Sequence, residues 1–101
     1  MSEFTIHPVK GIDRLLLDPS LDPDRLHLHV SEIAAGTRAH PPHTHSGVEA
    51  FYVLEGEGQV EFEDKVHPIK ANEALVLNAS VLHGLVNTGS GPMRYMVIIT
   101  Q

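Results

Sequence analysis

The stretch AHPPHTHSGVEAFYVLEGEG (39–58) sets three histidines within six positions, two prolines among them and a glutamate four residues after the last. Crowding imidazoles is costly, because protonated rings repel and neutral ones need partners, so the clustering asks for a chemical reason. Side chains two apart on a β-strand point the same way, whereas on a helix they diverge by about 200°. Pro41 and Pro42 favour extended backbone and discourage helix, which makes His43 and His45 a matched pair. Gly47 allows a bend, and Glu49 then opens an aromatic and branched strand on the same face as Phe51 and Val53.

Working outward, turn signals recur along the chain: DPSLDPD (18–24), AAG (34–36), EGEG (55–58), EDK (63–65), KAN (70–72), NAS (78–80) and NTGSGP (87–92). Between them lie RLHLHVSEI, EAFYVL, QVEFE, EALVL, VLHGLV and MRYMVIIT, short segments of β-type composition. Short strands separated by Gly, Pro and Asn predict an all-β sandwich or barrel. No segment carries a 3.6-residue apolar period long enough for a stable helix. The N-terminal residues 1–25 are expected to form a strand or loop segment packed on the barrel or on a dimer partner. Within them IDRLLLD reads as an edge strand or a short helix. Residues 26–101 form the barrel.

The chain has 101 residues, 42% apolar and 20% charged, which suits one compact domain. It contains no cysteine, so disulfides, thiolate ligands and a cysteine nucleophile are excluded. Thirteen acidic against seven basic side chains give a net charge of −6, and no cationic cluster offers a footprint for nucleic acid. The opening MSEFTIHPVK carries no basic-then-apolar signal pattern, and no apolar run approaches membrane-spanning length. A cytoplasmic location with no membrane partner is the expectation.

Two imidazoles and a carboxylate on one face match a divalent transition metal such as Fe, Mn, Ni or Zn, the carboxylate compensating charge. His83, the one histidine in the C-terminal third, lies in an apolar segment where an unpaired ring is expensive to bury. It is a fourth candidate ligand, or else a hydrogen-bonded core residue. His7, His27, His29 and His67 read as surface or interface residues, although His27 and His29 share a face and could belong to a pocket wall. His40 and Tyr95 are candidate catalytic groups. Strict alternation turns His40 away from His43, although Pro41-Pro42 weaken that parity, and Tyr95 shares parity with the core positions Val97 and Ile99. Phe51, Val53, Leu85 and Met96 are expected to wall a small, mostly apolar pocket.

The pattern resembles the cupin superfamily, whose first motif runs glycine, five residues, His-x-His, three or four residues, Glu, six residues, glycine. Here Gly36 is followed by six residues, HTH (43–45), three residues, Glu49, six residues and Gly56. The family's second motif is matched by NASVLHGLVN (78–87), which keeps His83 and Asn87 but has Asn78 and Ser80 for its proline and glycine. Asn72-Glu73 stands where Gly-Asp is usual. The resemblance implies a double-stranded β-helix, a jelly-roll barrel, with His43, His45, Glu49 and His83 as ligands of one metal inside an open end. It also implies a single-barrel protein that pairs as a homodimer. Four ligands leave two positions on a six-coordinate ion for a small-molecule substrate, and a dioxygenase-type reaction is expected ahead of isomerisation or decarboxylation. The alternative is a non-catalytic module that binds or senses a metal or small ligand.

Overall fold

A computed structural model describes residues 5–101. Apart from a short 3-10 turn at Pro23–Arg25, its regular structure is all strand. A hairpin of β1 (Thr5–Val9) and β2 (Ile12–Leu16) precedes β3 (Leu26–Ile33), β4 (Val48–Glu55), β5 (Glu57–Phe62), β6 (Lys65–Lys70), β7 (Ala74–Asn78), β8 (His83–Val86) and β9 (Met93–Thr100). Every pairing is antiparallel. One sheet has the order β3-β9-β4-β7 and the other β6-β5-β8. Bridges from Arg38 to Val86 and from His43 to His83 lay the 38–43 segment along the open edge of β8. The smaller sheet thus gains an irregular fourth member, and the result is the expected jelly-roll.

Alternation builds the core. In β4, Glu49, Phe51 and Val53 are buried while Ala50, Tyr52 and Leu54 are half-exposed. Met93, Tyr95 and Val97 do the same in β9, and they join Val60, Ile69, Leu77 and Leu85 in one apolar cluster. Burying one such valine or leucine stabilises the fold by about 1.5–3 kcal/mol. The same alternation corrects one expectation: Met96 does not wall the pocket. It pairs across with Tyr52 on the opposite face of the sheet, because Tyr95 and Val97 occupy the inward positions.

Two strands escape a reading by composition. β1 and β6 contain Pro8 and Pro68, which cannot donate to a ladder. β6 is the edge of its sheet and is exposed except at Ile69, the place where a strand proline is tolerated. IDRLLLD yields β2, a strand. The hairpin forms its own two-stranded sheet, and its turn sits on the free edge of β3, where Val30 N–H donates to the Lys10 carbonyl at 2.9 Å. Residues 1–4 of the N-terminal segment lie outside the described residues. Among those described, no helix is long and apolar enough to cross a membrane.

Candidate metal centre

The histidine segment is held extended by the strand beside it. His43 N–H donates to the His83 carbonyl at 2.9 Å and His83 N–H to the His43 carbonyl at 3.0 Å, while His45 N–H donates to Ala79 at 2.9 Å. Arg38 bridges Val86, so the five steps from 38 to 43 lie opposite the three from 86 to 83. The surplus bulges out around Pro41-Pro42. Gly84 lets this bulge lie close, since a Cβ there would stand 3.3 Å from Pro42 Cγ. At Gly47, φ is +99° and a Cβ would fall 2.2 Å from the Thr100 carbonyl oxygen, so only glycine makes the bend into β4. Asn78 and Ser80 replace the usual turn residues with a side-chain turn: Asn78 Oδ1 accepts from Ser80 N–H at 3.0 Å and Ser80 Oγ at 2.8 Å. Asn72, in place of glycine, takes φ 69°, a conformation asparagine tolerates.

These constraints bring His43, His45, Glu49 and His83 together, with one donor atom from each lying within 4.8 Å of the others. Two donors on one ion at bonds of about 2.1 Å stand at most about 4.2 Å apart, so a small closure suffices. Glu49 and His83 are 3% and 1% exposed. His45 Nδ1–H donates to the Ser46 carbonyl at 3.0 Å and His83 Nδ1–H to the Val81 carbonyl at 2.8 Å. A carbonyl only accepts, so in the neutral rings the proton is on Nδ1 and Nε2 is a bare lone pair. Both lone pairs point at Glu49 Oε1, at 2.7 Å and 3.0 Å. Acceptors facing acceptors repel unless a cation lies between them. A proton satisfies one contact at a time, whereas a metal ion satisfies all of them and takes in His43. The donor set fits a divalent transition metal. Burial, then the charges of His40, His83 and His45, hold the His43 pKa below its ordinary value against the pull of Glu49, which favours the ligating neutral form.

The cluster opens into a cavity of about 210 Å³. Phe51, Leu85, Val97 and Ile99 supply apolar wall, and Lys10, His29, Ser31, His40 and Tyr95 supply polar groups. Val53 faces inward but lies in the core, away from the cavity lining. His40 does not turn away from His43: their rings stack with centroids 4.4 Å apart and planes at 17°, because the bulge breaks strict alternation. His29 belongs to the wall, with Nδ1 2.7 Å from His27 Nε2. Burial pushes the Tyr95 pKa up, with Ser31 opposing and Glu49 adding. Asn87 is a strut: its Nδ2 donates to Ile33 and Gly91 carbonyls, both at 2.8 Å. Lys10 and Ser31 were missed from sequence. Ser31 shares parity with His29, which was a usable signal; Lys10 comes from the distant hairpin turn and left none. A larger groove of about 600 Å³ between the hairpin and the start of β3 holds none of the four clustered donors, so the candidate metal site belongs to the smaller cavity.

A jelly-roll barrel in which three imidazoles and one carboxylate converge at a cavity defines a small all-β barrel with a donor set that could hold a metal ion. The Cupin_2 family, described as the cupin domain, matches residues 29–99, and the chain belongs to that family. A cupin protein from Bacteroides fragilis superposes with a TM-score of 0.76 at 18% identity, covering 100% of this chain and 86% of its own. A cupin superfamily protein from Desulfitobacterium hafniense DCB-2 gives 0.69 at 20% identity, covering 79% and 71%. In sequence, the chain is 41% identical over 58 residues to an L-ectoine synthase of Shouchella clausii (strain KSM-K16), a match that covers 55% of this chain. It spans 42% of that relative's length.

Proposed function

We propose that this protein is a metal-dependent enzyme acting on a small organic molecule, with His43, His45, Glu49 and His83 holding one divalent ion. The observation that carries the reading is the convergence of two imidazole Nε2 atoms on one oxygen of a buried carboxylate, beside a cavity of about 210 Å³. That is somewhat more room than the roughly 150 Å³ that takes a benzene ring. Bound iron supplies dioxygen activation there, and a redox-inert ion supplies Lewis-acid polarisation.

The chain's own groups have distinct parts. Glu49 compensates the ion's charge. Phe51, Leu85 and Val97 shield the substrate from water. Tyr95 keeps its proton, because burial raises its pKa, so it donates a hydrogen bond and does not act as a base. His40, stacked on His43, is the imidazole placed to take up a proton.

A dioxygenase-type reaction is the first reading, since four protein donors would leave a six-coordinate ion able to take substrate and dioxygen beside the apolar wall. Lewis-acid chemistry is the second, favoured by the similarity to a synthase. Iron-loaded protein in an oxygen electrode, offered small acids and diketones, tests the first: substrate-dependent uptake, lost in His83→Ala, is expected. Turnover without uptake supports the second reading. Silence with every ion, together with ligand-induced thermal stabilisation, shows a binding module. The proposal includes pairing as a homodimer, supported by the half-exposed apolar residues on the outward face of the four-stranded sheet.

A further inference from the structure

The turn of the N-terminal hairpin is fixed where the cavity wall ends. Val30 N–H, on the free edge of β3, donates to the Lys10 carbonyl at 2.9 Å. Gly11 follows with φ +81°, and a Cβ there would stand 2.5 Å from the Val30 carbonyl oxygen. The turn therefore lies closer to the strand than any other residue would allow. From it the Lys10 side chain passes around the strand edge to the inner face, where Nζ donates to Ser31 Oγ at 2.7 Å. Both residues line the cavity that holds the histidine cluster.

The register sets the two ends of that cavity. Glu49 is level with Ile99 on β9, while Ser31 is level with Tyr95 four positions along the same strand. Lys10 thus faces the metal cluster from the far end of the wall. Around it the charged and titratable groups of the lining are His29, His40, Tyr95 and the cluster itself. A divalent ion on Glu49 leaves that end net positive, and Lys10 makes the other end positive too. In a chain of net charge −6, this is a local attraction for anions.

We infer that Lys10 is the carboxylate-binding residue of this site, and that the substrate is a small organic acid spanning the ion and the Lys10 ammonium. An ammonium with three donors has spare capacity beyond Ser31, and the Ser31 hydroxyl orients it. The inference rests on the metal reading above.

Cobalt-loaded protein tests it, with oxalate, malonate, succinate and pyruvate as probes beside their neutral amides, read by the cobalt absorption spectrum and by thermal shift. Lys10→Met is expected to bind cobalt as wild type does, and to lose at least about tenfold in affinity for the acid that wild type binds best. That loss corresponds to about 1.4 kcal/mol. Its affinity for the matching amide stays unchanged. Lys10→Arg, which keeps the charge, stays within about threefold. Gly11→Ala, which lifts the turn from β3, repeats the Lys10→Met result. Lys10→Met that holds the acids as tightly as wild type overturns the inference. So does a lowered melting temperature with unchanged acid affinity, since Lys10 is then only a strut on Ser31. Wild type that takes up cobalt but none of the four acids overturns the inference alone; wild type that takes up no cobalt overturns the metal reading with it.

Discussion

Glu49 Oε1 is the oxygen on which His45 and His83 both converge, and the carbonyls of Ser46 and Val81 decide what those imidazoles can offer. By fixing the protons on Nδ1 they turn two ordinary histidines into aimed lone pairs, as the outer partners of metal ligands do. This residue-scale detail is invisible in sequence: HTH and a distant His83 give the ligand types, but not the carbonyls behind them. His29 offers a test of the cavity's charges. Burial, then His27 and Lys10, hold its pKa below the ordinary 6.5. Between that lowered value and 6.5 the unfolded chain binds more protons than the folded one, so stability rises with pH there. The contribution is intact above about pH 6.5 and is lost as pH falls through the folded value. Lys10→Met removes one cause and is expected to raise the His29 midpoint in an NMR titration, while burial keeps it below 6.5. An unmoved midpoint contradicts the placement of Lys10.

At the scale of elements, six strands were legible because their apolar alternation and turn residues agree. β1 and β6 were not, since a proline at a sheet edge breaks the composition without breaking the strand. The place of His40 turns on a similar point. Parity holds only while one residue opposes one, and the segment from Arg38 to His43 carries more residues than β8 opposite it. Gly84 is the element-scale contact that lets this bulge lie flat. Gly84→Val is expected to push Pro42 outward and pull His43 from the cluster. Metal affinity should fall by at least about tenfold, the scale of a disturbed support to a ligand, while the far-ultraviolet circular dichroism stays that of the barrel. Retained affinity contradicts the account of how β8 positions His43. Gly47→Ala is more severe for the fold: the strained backbone costs about 1–3 kcal/mol, and the added Cβ falls 2.2 Å from the Thr100 carbonyl oxygen, so a larger loss is expected by urea unfolding.

The molecule as a whole measures 47 × 28 × 21 Å, with a two-stranded hairpin whose Ile6 and Leu15 are 55% and 58% exposed. The outward face of the larger sheet is apolar in successive rows, Leu28–Ile98–Ala50–Val76 among them. Sequence parity exposed part of this face at Ala50, Tyr52 and Leu54, but strand order was needed to join the rows. Sedimentation is expected to give twice the 11.1 kDa chain mass, and Val76→Glu, at a residue 66% exposed, to shift the protein toward monomer. A wild type that sediments as a single chain contradicts the pairing. The central claim is a metal held by His43, His45, Glu49 and His83, and elemental analysis of chelator-free protein addresses it most directly. The account predicts about one divalent transition metal per chain in the wild type, and its loss in both His45→Ala and His83→Ala. Wild type without stoichiometric metal, or either variant retaining it in full, contradicts the account.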